Sequence, residues 1–381
     1  MKIVVVGGVC VQSDAISAAL LSQATILAEQ PGVDSVSVAT QACDRSTALD
    51  VNIVTDSWSL LRSPTVADAD LVIFHWGIAY ELFDALPLVA ARTRTVVHFH
   101  NVTPRHLVAE SQWPTIDRSL AQIQLLALTD TVIWTESEFN AETLVDWGID
   151  RDRIIFMPFP VEAPRPIRRA PRSGPIRLLT VGRLVHAKGV DVLIDAFGSA
   201  VQQSDSPMVL TLMGNSSLSD VDFLVRLQRR IDEFGLQDIV QLITDADDAS
   251  VWEALANADI VVSPSLHEGL CVPVIEAYIA GCRVIGTDAG NLPFIVQHPD
   301  PIAPAGDATA LAAAIVGLAT ELSTGVVERP AGADQLVECF STNSVTRRLR
   351  KAIALDDADR PSYAWTSWID SGMSRRNAVD A

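Results

Sequence analysis

Lysine is nearly absent. The 381 residues hold three (Lys2, Lys188, Lys351), and Lys and Arg together number 28 against 47 Asp and Glu. The formal net charge of -19 excludes duplex nucleic acid as the main partner, because a phosphate backbone needs a cationic footprint. Any anionic ligand must be held by a local pocket that works against this field. Cysteine is sparse too: Cys10, Cys43, Cys271, Cys282 and Cys339 are an odd number without a C-x-x-C. That excludes a zinc ribbon and points to a reducing compartment. Long apolar runs are missing. The opening MKIVVVGG is expected to end in a glycine turn before a signal core could form, and the apolar stretch 308–320 is too short to span a bilayer. The expected location is cytoplasmic, with peripheral contact at the inner face of a membrane left open. No repeat or low-complexity tract is present, and 49% hydrophobic residues at this length exclude wholesale disorder.

What is present is an alternation. Val/Ile-rich runs at 2–6, 71–74, 95–99 and 131–134 are interleaved with segments of helical period at 14–29, 79–91, 115–127 and 138–147. Continuous apolar strands between helices predict a parallel sheet covered on both faces. Proline and arginine then gather over 161–175, a linker composition. Its Arg165, Arg168, Arg169 and Arg172 are read as a solvated hinge rather than an anion or membrane site. The alternation restarts with strands at 176–181, 209–213, 239–242, 259–262 and 283–285. Helices are expected at 189–201, 220–234, 249–257, 272–280 and 308–322. The predicted architecture is α/β, with two doubly wound Rossmann-like domains facing a central cleft. The first covers 1–160 and the second 176–341, with a helical tail over 342–381 that carries Trp365 and Trp368. Ligands of such sheets sit beyond the carboxyl ends of the strands.

Two strings in the second half carry chemistry. In Val181-Gly-Arg-Leu-Val-His-Ala-Lys-Gly189, Gly182 and Gly189 allow tight turns, and Arg183 and Lys188 place two cations at a strand's end. A lysine in so arginine-rich a chain suggests a compact point charge. In Ser263-Pro-Ser-Leu-His-Glu-Gly-Leu-Cys-Val-Pro-Val-Ile-Glu-Ala277, a strand runs into a loop and Pro273 opens a helix. Carboxylates at Glu268 and Glu276 would accept hydrogen bonds from sugar or ribose hydroxyls, and free N–H groups at the helix start suit a diphosphate.

Glu268 and Glu276 form the E-x7-E pattern of retaining GT-B glycosyltransferases of family 4, and the sequence resembles that family over roughly residues 1 to 320. Gly-Arg…Lys-Gly is similar to its diphosphate site, and Asp288-Ala-Gly-Asn-Leu-Pro293 to its D-x-G-G-[LI]-P segment. Val96-Val-His-Phe-His-Asn-Val-Thr-Pro104 resembles the H-N-[IV]-T-P string of a bacterial polysaccharide-type branch. The resemblance implies that Arg183 and Lys188 neutralise a leaving nucleoside diphosphate, aided by Gly182. Glu276 would hold ribose hydroxyls. Glu268, with Gly269, Leu270 and Cys271, would hold the donor sugar. His100 would lie near the anomeric carbon, and a Gly7-Gly8 loop would approach phosphate or acceptor. The implied reaction moves a hexose from a nucleoside-diphosphate sugar to a hydroxyl of a glycan or glycolipid intermediate, with retention and without metal or cofactor. Cys271 and Asn291 stand where the family commonly has glycine.

Other readings compete. His75, His98 and His100 could form a metal cluster, but His98 is expected to be a packed histidine. Cys271 lacks the histidine and carboxylate of a nucleophile's set. The D-x-D strings at Asp68/Asp70, Asp150/Asp152 and Asp245/Asp247 are read as loop or cap features. The rival functions are a nucleotide-sugar epimerase or hydrolase of similar fold, or a non-catalytic two-lobed sugar- or nucleotide-binding protein. Nucleotide base, donor sugar, acceptor and oligomeric state are not legible.

Overall fold

The computed structural model describes residues 1–12, 14–169, 174–215, 220–325 and 328–354. The chain divides into two compact units. One comprises Met1–Arg105, Glu110–Pro160 and the chain from Cys339 onward; the other comprises His106–Ala109 and Val161–Glu338.

The first unit is a seven-stranded parallel sheet. Its strands are β1 (Lys2–Cys10), β2 (Ser35–Cys43), β3 (Asp50–Ile53), β4 (Leu71–Trp76), β5 (Arg94–Phe99), β6 (Val132–Thr135) and β7 (Ile154–Phe156), in the order β3-β2-β1-β4-β5-β6-β7. The second unit is a six-stranded parallel sheet of β8 (Ile176–Val181), β9 (Met208–Met213), β10 (Val240–Ile243), β11 (Ile260–Val262), β12 (Arg283–Thr287) and β13 (Ile302–Ala303), in the order β10-β9-β8-β11-β12-β13. Each order reverses beside its first strand, between β1 and β4 and between β8 and β11. That reversal opens a crevice at the carboxyl ends of the strands, where doubly wound sheets bind ligands.

The helices start on side-chain caps. Asp14 accepts from Ser17 N, Ser137 from Asn140 N, Asp220 from Phe223 N and Asp307 from Thr309 N and Ala310 N. Asp247 forms a capping box with Ser250, so the acidic string at 245–247 is a helix start. One core packs Leu20, Ala24 and Leu27 of helix Ala15–Ala28 on Ile3, Val5, Leu71 and Ile73. The other packs Leu193, Ile194 and Phe197 of helix Val190–Gln203 and Leu311 and Ile315 of helix Ala308–Ser323 on Leu178, Leu210 and Ile260. No described helix is long and apolar enough to cross a membrane.

Three features differ from the sequence reading. Gly7 and Gly8 do not turn the chain. β1 runs on to Cys10, with Gly7 opposite Thr40 and Cys10 opposite Cys43 on β2. The glycines are needed for packing: a Cβ on Gly7 would lie 2.4 Å from Leu20 Cδ1, and one on Gly8 would lie 3.0 Å from Tyr80 Cβ. Secondly, the segment after 341 does not stand apart. Helix Thr342–Ile353 puts Val345, Leu349 and Ile353 into the first unit's core, and Arg94 of β5 donates to the carbonyls of Ala352 and Ile353 at its end. Trp365 and Trp368 lie outside the described residues. Thirdly, Arg169 is no solvated hinge residue. Its guanidinium donates to the carbonyls of Ala258 and Ala280 and lies 3.8 Å from Asp259. It stitches the end of the linker onto the second unit. Arg172 lies outside the described residues.

Candidate functional site

The second unit's crevice is built by three loops. The chain leaving β8 passes through Gly182 (φ +146°) and Arg183, makes a short turn at His186–Lys188, and enters helix Val190–Gln203 through Gly189. The chain leaving β11 runs through Ser263 to Cys271 and enters helix Val272–Ala280. The chain leaving β12 passes through Asp288 to Asn291. They interlock through backbone. Leu266 N donates to Ala187 O at 2.9 Å, Asn291 N to Glu268 O at 3.0 Å, and the Thr287 hydroxyl to Ser265 O at 2.6 Å. Two glycines permit this closeness. A Cβ on Gly189 (φ +60°) would fall 2.1 Å from Pro264 O, and one on Gly290 (φ +56°) would fall 2.1 Å from Glu268 O.

These loops bring Lys188 and Glu268 together across 80 residues of sequence. Lys188 Nζ donates to Glu268 Oε1 at 2.6 Å, and the Ser265 hydroxyl donates to the same oxygen at 2.6 Å. Burial opposes the charge on Glu268, but the ammonium and the hydroxyl outweigh it and hold the carboxyl below its ordinary range. Arg183 and Gly182 line the same concavity as Lys188 and Glu268, with Thr180, Ser263 and Pro273. Arg183 is exposed and has no ion-pair partner among the described residues. The concavity therefore offers one free cation, one cation shared with a carboxylate, and an ionised carboxylate.

Glu276 is not in the lining of that concavity. It stands on the second turn of helix Val272–Ala280, half-buried, and burial with the neighbouring Asp248 carboxylate pushes its pKa up to about 7. Gly269 and Leu270 lie in the loop above Glu268, and Leu270 O accepts from Asn291 Nδ2 at 3.3 Å. Cys271 is buried in the left-handed region (φ +70°), which explains why a glycine suits this position. Burial and the Glu268 carboxylate push its thiol pKa up, so it is no activated nucleophile.

The first unit places a different cluster beyond the carboxyl ends of its strands. Side chains alternate along a strand. Ile73 and His75 on β4, Val96 and His98 on β5, and Trp134 on β6 with Glu136 just after it fall on one face. His100 follows β5 on that face. His98 Nδ1 lies 3.1 Å from Gln23 Oε1, whose amide is oriented by donating to Pro158 O at 3.2 Å. His98 Nε2 lies 3.2 Å from Glu136 Oε2. His100 Nδ1 lies 3.3 Å from Glu136 Oε1, and His100 Nε2 lies 2.9 Å from His75 Nδ1. All four side chains are almost fully buried. Burial opposes charge on Glu136, yet His100 and His98 outweigh it and hold the carboxyl at about 2. Burial pulls His98 down to about 4, against the upward pull of Glu136. Acceptors on both sides of His98 nevertheless ask for a hydrogen on each nitrogen, so a proton is shared along the 3.2 Å contact with Glu136. Sequence reasoning missed Glu136. The signal for it was a carboxylate two residues beyond an inward-facing tryptophan at the end of an apolar strand.

The three histidines offer ring nitrogens within 4.8 Å of one another. Five of their six nitrogens already face a hydrogen-bond partner; His75 Nε2 alone is buried without one. The donor set is therefore committed to hydrogen bonds, which fits poorly with a metal ion.

Two parallel Rossmann-like sheets define the GT-B fold. In keeping with this, the chain superposes on Anabaena HepE, solved in complex with UDP and glucose, with a TM-score of 0.70 at 17% identity, covering 93% of this chain and 99% of that one. Residues 166–321 match the family Glycosyl transferases group 1, so the second unit carries a group 1 glycosyl transferase domain. Among curated proteins, the chain is 28% identical over 264 residues to the amylovoran biosynthesis glycosyltransferase AmsK of Erwinia amylovora (66% of this chain, 61% of that protein). It is 24% identical over 299 residues to the putative colanic acid biosynthesis glycosyltransferase WcaL of Escherichia coli K12 (74% and 69%). Matches to three of these relatives span 40%, 61% and 69% of the relatives' own lengths.

Proposed function

We propose that the chain is a retaining, metal-independent glycosyltransferase that moves a hexose from a nucleoside-diphosphate sugar to a hydroxyl acceptor in polysaccharide or glycolipid biosynthesis. The observation that carries this reading is the Lys188–Glu268 pair, 2.6 Å apart beside the unpaired Arg183 at the strand-order reversal of the second sheet. Breaking the glycosidic bond to the diphosphate builds negative charge on the leaving group. Fixed cations aimed at that charge lower the barrier most in a site partly withdrawn from water. Arg183 and Lys188 supply two, and a diphosphate competes with Glu268 for the ammonium. Glu268 is then free to accept from donor-sugar hydroxyls. The likeness to AmsK and WcaL supports the polysaccharide context. A solute-binding protein has no use for paired cations at a strand end, and an epimerase or hydrolase would consume the donor without acceptor.

A thermal-shift titration with UDP, GDP and ADP, with and without magnesium, tests the donor side. A nucleotide at 100 times its Kd raises stability by about 2.7 kcal/mol. The expected result is a shift with one base, equal in the presence and absence of magnesium, that Lys188→Ala abolishes. Product anomeric configuration, read by proton NMR, tests retention. A shift that requires magnesium, or none with any nucleotide, counts against the reading.

A further inference from the structure

We propose that Glu136 is a positioning residue for His100, fixing the ring's hydrogen on Nδ1 and so leaving Nε2 as its lone-pair nitrogen. The inference rests on the reading of His100 as a residue that meets the reacting sugar.

The argument follows the hydrogens. Glu136 is buried and ionised, so its Oε1 can only accept, and His100 Nδ1 at 3.3 Å must donate. The neutral ring then carries no hydrogen on Nε2. That nitrogen lies 2.9 Å from His75 Nδ1, which must donate in turn. Two facing lone pairs at this distance would repel. His75 is thereby fixed with hydrogen on Nδ1, and its Nε2 is a bare acceptor, the one ring nitrogen of the cluster that is buried without a partner. The carboxylate sets two tautomers in series, one on β5's extension and one on β4. A substrate hydroxyl that takes the place of His75 Nδ1–H meets the same lone pair of His100, so one hydrogen bond is exchanged for another.

The surroundings hold His100 in this state. His98 stacks on it with ring centroids 4.3 Å apart, Phe159 lies edge-on at 6.3 Å, and Asn140 Nδ2 donates to the same oxygen of Glu136 at 3.4 Å. The titratable groups that face His100 are therefore His75 from β4, His98 from β5 and Glu136 from the chain after β6. A sequence-local account finds none of this, because Glu136 lies 36 residues beyond His100.

Tautomers are read directly by long-range proton–nitrogen NMR of the full chain labelled with 15N-histidine, with resonances assigned from His75→Gln and His100→Gln. In the wild type, His100 and His75 are both expected with hydrogen on Nδ1. In Glu136→Gln, whose amide can donate as well as accept, the His100 signal should lose that single tautomer. Transfer should fall on the order of 10²-fold in kcat, with donor KM unchanged, and Glu136→Asp should restore part of it. Hydrogen on His100 Nε2 in the wild type overturns the proposal. So does an unchanged tautomer in Glu136→Gln, or a metal ion bound by the three histidines in the protein as purified. Failure of the transferase reading shows separately, as absence of nucleotide binding and transfer by the wild type, while the NMR still decides the tautomer.

Discussion

Both units place polar side chains beyond the carboxyl ends of a parallel sheet, yet the two clusters are built on opposite principles. In the first unit, Glu136 and three histidines are sealed, and five of six ring nitrogens are spent on one another or on Glu136 and Gln23. In the second, Arg183 is exposed and unpaired among the described residues, and Lys188 is held by a single carboxylate. A sealed network fixes orientation, because every member is over-determined by its partners. An open one keeps binding capacity, because a ligand can replace the partner it displaces. Orientation in one unit and charge in the other is the division of labour a transfer reaction needs.

The largest expected effect lies in the open cluster. Lys188→Ala removes a cation from the place where leaving-group charge develops, so transfer should fall on the order of 10²- to 10³-fold. Steady-state kinetics and nucleotide titration measure it, and a variant that binds and turns over normally breaks the contrast at once. Next comes the sealed cluster. Glu136→Ala strips the partner from two buried imidazoles, so unfolding free energy should fall by about 2–4 kcal/mol. Nucleotide affinity should hold, since Glu136 belongs to the first unit. Denaturant unfolding with and without nucleotide separates the two.

How far the sequence discloses this contrast depends on whether the information is local. The parallel sheets are legible in runs such as Leu-Val-Ile-Phe of β4, because strands buried on both faces are continuously apolar. β2 is not, because Ser-Val-Ser-Val-Ala-Thr-Gln-Ala-Cys buries hydroxyls at Ser37 and Thr40 and carries no such run. β3, β7 and β13 are edge or near-edge strands of four, three and two residues, too short for periodicity. The second-unit site was suggested by residue pattern, and the structure brings Arg183, Lys188 and Glu268 into one concavity while leaving Glu276 out of it. The first-unit network was hidden, because Gln23, Glu136 and Asn140 are recruited by tertiary register alone. Arg169 was misread for the same reason: its partners Ala258 and Ala280 are far along the chain.

Acid and base sharpen the comparison further, with opposite signs. In the first unit His98 is held at about 4 against an ordinary 6.5, so the unfolded state binds the proton more readily there. That stability is complete above pH 6.5 and is lost as pH falls through 4. In the second unit Glu276 sits at about 7 against an ordinary 4.5, so the folded state keeps the proton. That stability is present below 4.5 and is lost as pH rises through 7. Raising the pH from 5 to 7 should strengthen the first unit and weaken the second, each by about 1–2 kcal/mol, the lower figure for the half-buried Glu276. Hydrogen exchange read by mass spectrometry resolves the units separately. Glu276→Gln should remove the second trend alone. Parallel trends in both units would sink the assignment.

The smallest expected effect concerns two glycines, one in each unit. Gly290→Ala forces a left-handed alanine whose Cβ falls 2.1 Å from the backbone oxygen of Glu268, where nothing can yield. It should cost about 2–3 kcal/mol and displace Glu268, so donor affinity falls with stability. Gly7→Ala lies in an extended strand, and its Cβ meets only Leu20 Cδ1, the end of a side chain that can move. It should cost about 1 kcal/mol, through overpacking of helix Ala15–Ala28, and leave nucleotide affinity untouched. Thermal unfolding and nucleotide titration of both variants decide the point. If Gly7→Ala lost nucleotide binding without losing stability, Gly7 would be a ligand-facing residue after all. The placement of β1's glycines as packing positions against Leu20 and Tyr80 would then have to be given up.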